Sequence, residues 1–312
     1  MSAALSYNFS QEKLAMNVMK SKIDRVAIFG GTHGNESTGV YLIQKFKSFP
    51  DRIRRSSFET LTFLANPKAI EARRRYIDLD LNRCFSLRDL ENPDLVAYEQ
   101  LLARSIYRQI KTDRINFLID LHSTTSNMGL TLLVDNDCPF NLRLAAYLVS
   151  RNSEVIILQT EGSQDKNRLR NICDLSLTIE VGGVAQGILD ATLFHKTENL
   201  ILEILDYLEK YNREIEISYP QDLELYSYWQ TVNYPRDEEG GVAAMIHPWL
   251  QGRDYLPLNE GDPLFIRFDG TEIFYQGQNT VYPVFINESA YWEKNIAMSL
   301  TQKKKVSIES LD

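Results

Sequence analysis

Apolar and polar positions follow two different patterns along the chain, and the change comes near residue 212. Before that point, short apolar runs alternate with stretches that have the spacing of an amphipathic helix. The apolar runs cover residues 25–29, 60–65, 116–121, 130–134, 155–158 and 175–181, and the helical stretches cover 37–47, 94–110 and 190–210. Strands that alternate with helices predict an α/β domain whose sheet is mostly parallel or mixed and flanked by helices.

The second pattern consists of short alternating segments that are broken by glycine, proline and asparagine. They cover residues 215–219, 223–228, 241–247, 263–268 and 280–286. Such segments are typical of β-structure, so we expect a catalytic α/β domain at 23–212 and a smaller β-rich domain at 213–312. Residues 1–22 are polar and have no clear period, so we expect a loose or disordered leader, within which Met16 is a candidate natural start.

Composition narrows the class of protein. The 312 residues carry a net charge of −8, which disfavours a nucleic-acid partner because phosphate recognition needs a basic surface. The sequence contains no signal-peptide pattern and no apolar run near the roughly 18 residues of a membrane span, so we expect a cytoplasmic protein without a membrane partner. Cys84, Cys138 and Cys173 lack the spacing of a disulfide framework or a zinc knuckle. The sequence leaves the oligomeric state open, a homo-oligomer included.

Two of the four histidines stand where α/β proteins build their sites. His33 lies in Gly-Gly-Thr-His-Gly-Asn-Glu at 30–36, between an apolar run and a helical stretch. The spacing of His33 and Glu36 can bring an imidazole and a carboxylate together on one turn, and the glycines permit a tight backbone. A single histidine and glutamate with this spacing often occur by chance.

The other well-placed histidine is His122, directly after the run 116–121. Two histidines and one glutamate form the ligand set of a hydrolytic zinc site, with a fourth position left for water. We therefore predict that His33, Glu36 and His122 bind one Zn²⁺ per chain, and that Asp120 orients a ligand. His195 and His247 lack such a setting, and surface or packing roles are expected for both.

A hydrolytic metal site also needs a general base, and Glu180 is the best candidate. It lies in the apolar run Leu-Thr-Ile-Glu-Val, where a carboxylate is costly to bury without a cation or a reacting proton. The alternative is an ordinary carboxylate at the end of a strand.

Arginines form two clusters in this acidic chain. Arg73, Arg74, Arg75 and Arg83 lie with Asn82 in one cluster, and Lys166, Arg168 and Arg170 form the other. Guanidinium groups bind carboxylates in a bidentate fork, so both clusters are candidate substrate contacts. For Arg73, Arg74 and Arg168 a solvated surface position is the preferred interpretation.

Several motifs together resemble the aspartoacylase family of zinc-carboxypeptidase-like hydrolases. They are the 30–36 sequence, Asp-Leu-Asn-Arg at 80–83, Asp-Leu-His-Ser-Thr-Thr-Ser-Asn-Met-Gly at 120–129 and Ile-Glu-Val-Gly at 179–182. The resemblance continues through residues 233–237, 281–285 and 287–291, and the motifs keep the same order over nearly the whole chain beyond residue 23.

The resemblance implies a carboxypeptidase-like α/β domain followed by a β-rich domain that narrows the entrance to the active site. It implies these roles: zinc ligands His33, Glu36 and His122; general base Glu180; carbonyl polarisation by Arg75; α-carboxylate binding by Asn82 and Arg83; side-chain carboxylate binding by Arg170; and substrate support by Tyr291. One position departs from the family, since Lys166 stands where its best-studied members have tyrosine. This lysine could add charge for an acidic substrate or leave room for another side chain.

The function that the resemblance implies is hydrolysis of an N-acyl-L-aspartate, with N-acetylaspartate yielding acetate and aspartate. The nearest alternatives are an aminoacylase for N-acetylated aromatic amino acids and a desuccinylase of succinylated amino acids on the same metal core. A peptidase is a more distant alternative. A non-catalytic binding protein with a structural metal is another, since a structural zinc is normally closed by four protein ligands.

Overall fold

A computed structural model describes residues 22–135, 138–160 and 166–311. The expected leader, with Met16, lies outside these ranges apart from Lys22. The helices are α1 (Ser37–Ser48), α2 (Pro67–Ala72), α3 (Leu87–Glu91), α4 (Tyr98–Thr112), α5 (Pro139–Arg151) and α6 (Ala191–Asn212). The strands are β1 (Arg25–Gly30), β2 (Glu59–Leu64), β3 (Phe117–Ser123), β4 (Gly129–Val134), β5 (Val155–Gln159), β6 (Leu175–Gly182), β7 (Asp222–Asn233), β8 (Ala244–Ile246), β9 (Pro263–Arg267), β10 (Glu272–Phe274), β11 (Tyr282–Val284) and β12 (Ile296–Ser307).

Nine of these strands form one mixed sheet in the order β11-β12-β7-β5-β4-β6-β3-β1-β2. The pairs β1/β2, β1/β3, β3/β6, β4/β5 and β5/β7 are parallel. The pairs β4/β6, β7/β12 and β11/β12 are antiparallel. The predicted α/β class with a mixed sheet is confirmed.

Strand β1 is apolar because both faces of the sheet are covered at this strand. Alternate residues of β1 enter different cores: Val26 and Ile28 pack with residues of α1, α5 and α6, whereas Ala27 and Phe29 pack with residues of α4 and of the segment around Leu81. A strand that is buried on both sides has no polar face, which explains its continuous apolar sequence.

The C-terminal part is β-rich, as predicted, and it is tied to the main sheet. Strands β8, β9 and β10 form a separate antiparallel sheet with its own apolar core. Strands β7, β11 and β12 instead extend the large sheet beyond β5, where Leu158 pairs with Tyr226. The boundary predicted at residue 212 therefore stays a prediction, although α6 does end at Asn212.

Three local predictions were wrong or incomplete. Residues 215–219 form no strand; Ile217 and Tyr219 pack against the main core, which accounts for their alternating pattern. The long helix α4 begins at Tyr98, after the turn that contains Pro93, rather than at residue 94. Strand β12 was not predicted, because three consecutive lysines at 303–305 interrupt the alternation of apolar and polar residues. The strand nevertheless pairs with β7 over its whole length. Within the described ranges, no helix is both long and apolar enough to cross a bilayer.

Candidate active site

The three predicted metal ligands converge at one edge of the main sheet. His33 lies in the loop after β1, Glu36 directly precedes α1, and His122 lies near the end of β3, the neighbour of β1. The two imidazole rings are 4.8 Å apart between centroids. Glu36 joins them, because its Oε1 lies 2.5 Å from His33 Nδ1 and its Oε2 lies 2.9 Å from His122 Nδ1. All three side chains are buried.

The loop between β1 and α1 reaches this position because Gly34 has no side chain. A Cβ atom at Gly34 would lie 2.0 Å from the carbonyl carbon of Ala69, so the loop can pack directly on α2 only with glycine here. The Gly34 N–H also donates to the Arg75 carbonyl, at 3.2 Å. The turn that carries the ligands is thus held against the segment that carries Arg75.

Each imidazole also contacts a second carboxylate. His122 Nε2 lies 2.8 Å from Asp120 Oδ2, as expected for a residue that orients a ligand, and His33 Nε2 lies 3.0 Å from Asp80 Oδ1. Both rings therefore turn Nδ1 toward Glu36 and Nε2 toward a supporting carboxylate. Metal-binding histidines typically have such partners on the opposite ring nitrogen.

The electrostatics of the cluster favour positive charge at its centre. Burial opposes ionisation of Glu36, but the charges of His33 and His122 hold its pKa well below the ordinary value. Burial opposes protonation of His122, but Asp120 and Glu36 raise its pKa well above the ordinary value. The ligand atoms of the three residues lie within 4.8 Å of one another. Two imidazole nitrogens and one carboxylate oxygen at this spacing fit a zinc ion that keeps an open coordination position.

A cavity of about 400 Å³ opens beside the cluster, and Glu180 lines it. Glu180 pairs with His122 in the register of β6 and β3, so the two residues lie at the same level of the sheet. Burial raises the pKa of Glu180 to about 8. Among the described residues no hydrogen bond or ion pair engages its carboxylate, which is therefore available to exchange a proton.

Three more residues of the predicted site, the catalytic Arg75 and the substrate-binding Asn82 and Arg83, line the same cavity close to the cluster. The Arg75 guanidinium is fixed by two carboxylates, with Nη1 3.3 Å from Glu36 Oε1 and Nη2 3.1 Å from Asp80 Oδ2. Asn82 Nδ2 lies 3.3 Å from His122 Nε2. Arg83 donates through Nη1 to the Asn82 carbonyl at 2.6 Å, and Arg75, Asn82 and Arg83 all line the cavity.

The second arginine cluster differs from expectation. Arg170 lines the cavity, but its guanidinium is bound in a fork to Asp135, with both N···O distances 2.7 Å. Arg168 was predicted to be a solvated surface residue, and this was wrong: its side chain is half-buried and lines the cavity, because it stands directly before the 3-10 turn Leu169–Ile172 that turns inward. Lys166 is exposed and is not among the residues that line the cavity.

The remaining histidines and arginines lie away from the cluster. His195 is exposed on α6, His247 lies 3.0 Å from Glu272 in the small β-sheet region, and neither lines the cavity. Arg73 and Arg74 are exposed, as predicted.

Comparison with known proteins identifies the family. The model of the succinylglutamate desuccinylase/aspartoacylase catalytic domain matches residues 22–208, and that of the AstE/AspA barrel-sandwich hybrid domain matches residues 221–303. A relative from Nostoc sp. that bears the name "Probable aspartoacylase" is 52% identical over 293 residues, which are 93% of this chain and 100% of that protein. The chain belongs to the succinylglutamate desuccinylase/aspartoacylase family.

Relatives in this family carry more than one name. An N-acyl-aromatic-L-amino acid amidohydrolase (carboxylate-forming) from Xenopus laevis is 39% identical, over 94% of this chain and 99% of its own. The crystal structure of murine aminoacylase 3 superimposes with a TM-score of 0.87 at 36% identity, and the match covers 93% of this chain and 98% of that one. The chain is therefore similar to amidohydrolases. Some of these relatives are named aspartoacylase, and others are named for N-acyl-aromatic amino acids.

The C-terminal part contributes ten residues to the cavity, and Glu288, Tyr291 and Lys294 are among them. Tyr291 packs on Phe285 with ring centroids 5.5 Å apart. Its predicted place at the substrate cavity thus agrees with the geometry, while its role stays a prediction.

Glu288 attaches the C-terminal part to the strand that carries His122. Its buried carboxylate accepts hydrogen bonds from the Thr125 N–H and hydroxyl at 2.8 Å each, and from the Ser126 N–H and hydroxyl at 3.2 Å each; the Thr124 hydroxyl also donates to it. The turn 124–126 follows β3 directly. Gly182 allows β6 to pass this turn, since a Cβ there would lie 2.3 Å from the Ser126 carbonyl oxygen.

Several carboxylates that hold the loops and side chains of this site in place were given no role from the sequence. Glu99 is buried and accepts the backbone N–H groups of Ile77, Asp78 and Leu79, and it thereby fixes the loop that leads to Asp80. Asp80 and Glu288 lie within the motifs of the family resemblance, and this was the only sign in the sequence that they contribute to the site. Glu99 and Asp135 gave no signal beyond a lone acidic residue.

We predict that Glu288→Ala lowers the free energy of unfolding by about 3 kcal/mol, because it leaves buried donors of residues 124–126 without a charged acceptor. Urea denaturation followed by circular dichroism measures the change. Glu293→Ala is the matched control, since Glu293 is exposed on the same 3-10 turn and its loss should change stability by less than about 0.5 kcal/mol. Equal stability of the two variants would contradict the proposed attachment.

Proposed function

We propose that this protein is a zinc-dependent amidohydrolase that cleaves the amide bond of N-acyl-L-aspartate, converting N-acetylaspartate to acetate and aspartate. The observation that supports it best is the buried cluster of His33, Glu36 and His122 beside Glu180, in a cavity that is rich in arginine. A zinc ion held by the three residues would act as a Lewis acid that polarises the scissile carbonyl and makes water a stronger acid.

Glu180 is the proposed general base. Its carboxylate takes a proton from the water molecule that attacks the acyl carbon, and then delivers this proton to the leaving amine nitrogen. A carboxyl group whose pKa lies near neutrality can accept and return a proton with little cost in either direction. Its elevated pKa, about 8 because of burial, is consistent with this double role.

Arg75 is the proposed stabiliser of the oxygen that becomes negative in the transition state. Glu36 and Asp80 hold its guanidinium, so little reorganisation is needed when the charge develops, and one such donor is often worth ~3 kcal/mol. Asn82 and Arg83 are proposed to bind the α-carboxylate, and Tyr291 is proposed to support the substrate from the C-terminal part. A cytoplasmic location also remains part of this proposal.

A second candidate is an aminoacylase for N-acylated aromatic amino acids. The identity of 39% to the enzyme from Xenopus laevis favours it, and so does the ion pair that neutralises Arg170, the residue expected to select an acidic side chain.

The substrate class is tested by measuring acyl release from N-acetyl-L-aspartate, N-acetyl-L-glutamate and N-acetyl-L-tyrosine on zinc-loaded protein. We expect kcat/KM for the aspartate derivative to exceed that for the tyrosine derivative about a hundredfold, because buried cations left without a carboxylate penalise a neutral side chain. A preference for the tyrosine derivative would instead support the aminoacylase.

We predict that Glu180→Gln lowers kcat by about 10³-fold, since it removes proton transfer and leaves the shape of the side chain. Zinc content, measured by plasma emission spectrometry, should stay near that of the unaltered protein. Glu224→Gln is a matched control, because Glu224 is an exposed strand residue that does not line the cavity. Loss of zinc in Glu180→Gln would show that this residue is a ligand instead.

We predict that His122→Ala abolishes zinc binding, whereas the exposed His195→Ala binds about one zinc per chain, as the unaltered protein should. Dialysis against a chelator should remove activity and lower the melting temperature of the unaltered protein, because a bound ion stabilises the folded state by mass action. Equal zinc content in the two histidine variants would exclude the proposed site.

A further inference from the structure

We propose that Arg168, and not Arg170, binds the side-chain carboxylate of an acidic N-acyl amino acid in this protein. The inference rests on the proposed function and assigns the acidic specificity of that same cavity. It concerns the one arginine of the second cluster whose guanidinium faces the cavity without a carboxylate partner.

Arg170 is not available for a substrate carboxylate. Its Nε and Nη2 are each 2.7 Å from an oxygen of Asp135, Nη2 also donates to Thr160 Oγ1 at 2.8 Å, and Nη1 donates to Thr178 Oγ1 at 3.3 Å. Only 3% of the residue is exposed. A bidentate carboxylate already fills the fork of this guanidinium, so a substrate carboxylate could bind Arg170 in a fork only by displacing a buried ion pair.

Asp135 is itself firmly held in that pair. Asn171 Nδ2 donates to its Oδ2 at 3.0 Å, and the Thr160 hydroxyl donates to its Oδ1. Burial opposes ionisation, but Arg170 holds the pKa of Asp135 below its ordinary value. The carboxylate therefore stays ionised, and the pair with Arg170 is electrically neutral as a unit.

Arg168 is in the opposite situation. No hydrogen bond or ion pair to its guanidinium is present in the parts of the chain that the structure describes, and its buried Nε has no partner. The backbone is nevertheless fixed, because the Arg168 N–H donates to Asn171 Oδ1 at 3.1 Å. A buried donor without a partner is costly in a folded protein unless a ligand supplies the acceptor.

The cavity also has more cationic groups than the α-carboxylate of a substrate can neutralise. Arg83, Arg168 and Lys294 line it, and within the described ranges none of them forms an ion pair. Burial and the charges of Arg170 and Arg83 lower the pKa of Arg168, and burial and Arg83 lower the pKa of Lys294. If Arg83 binds the α-carboxylate, Arg168 and Lys294 are left, and of these two only Arg168 has a buried donor without a partner in the described part of the chain. Arg168 is therefore assigned the second carboxylate, which only a dicarboxylic substrate carries.

An aromatic side chain is the competing occupant, because a guanidinium can also stack on an aromatic ring. Replacement of Arg168 distinguishes an acidic from an aromatic substrate side chain in the cavity. Loss of a charge partner affects acidic substrates selectively, whereas loss of a stacking partner affects aromatic ones.

The test compares Arg168→Gln with the unaltered zinc-loaded protein on N-acetyl-L-aspartate, N-acetyl-L-alanine and N-acetyl-L-tyrosine. We expect kcat/KM for the aspartate derivative to fall about a hundredfold, mainly through KM, and that for the alanine derivative to change less than about threefold. Arg168→Lys should recover part of the loss, and Arg73→Gln, at an exposed arginine, should change neither. Equal losses on the aspartate and alanine derivatives, or a loss confined to the tyrosine derivative, would overturn the inference.

A double variant tests Arg170 directly. Asp135→Asn with Arg170→Gln replaces the buried ion pair by neutral groups of similar shape, which avoids leaving one charge uncompensated. Preference for the aspartate over the alanine derivative should survive in this variant if Arg168 carries the specificity. Loss of that preference would assign the role to Arg170.

Calorimetric binding of L-aspartate and L-alanine gives a readout that does not depend on turnover. Arg168→Gln should raise the Kd for L-aspartate at least tenfold and leave that for L-alanine unchanged. If the unaltered protein hydrolyses no N-acyl amino acid yet binds L-aspartate through Arg168, the proposed function fails and this inference stands. If it hydrolyses N-acyl amino acids without a selective effect of Arg168→Gln, the inference fails and the proposed function stands.

Discussion

The site depends on the Glu36 carboxylate, which lies between an imidazole from the loop after β1 and an imidazole from β3. One oxygen contacts His33, and the other contacts His122 and accepts the Ser123 N–H at 3.0 Å. These contacts join the loop after β1 to the end of β3 in an interior where a lone charge would be costly. The outer nitrogens of the rings must then be satisfied as well, which explains why Asp80 and Asp120 are part of the same network. A change at Glu36 therefore affects both rings, whereas a change at Asp80 or Asp120 removes the partner of one ring.

The sequence could reveal the part of this network that is local. His33 and Glu36 are three residues apart, and the surrounding glycines indicate a turn that brings them together. Their meeting with His122 depends on β3 lying beside β1, and the alternation of strands and helices does not specify the order of strands in a sheet. The position of His122 directly after a second apolar run suggested the ligand set, and the resemblance to a known family added the contacts of a whole fold.

The features that sequence reasoning missed are those decided by distant partners. Arg168 and Arg170 are two residues apart and chemically identical, and only the 3-10 turn and the position of Asp135, directly after β4, decide which one is neutralised. Strand β12 was likewise not predicted, although it pairs along β7, where Lys303 donates to Glu224 at 2.8 Å. At each of these positions the sequence gives the chemistry of the side chain, but it does not give the residue that the side chain contacts.

The pair of Asp135 and Arg170 has a consequence for the rest of the cavity. Four guanidinium groups line it, from Arg75, Arg83, Arg168 and Arg170, and such charges repel one another strongly when water is scarce. Arg75 is balanced by Glu36 and Asp80, and Arg170 is balanced by Asp135. This internal neutralisation limits the repulsion so that Arg83 and Arg168 can remain charged without a carboxylate partner among the described residues. If Arg168 binds the substrate as proposed, a carboxylate at position 135 would withdraw one arginine from recognition and, for the same electrostatic reason, keep its neighbour available for an anionic substrate.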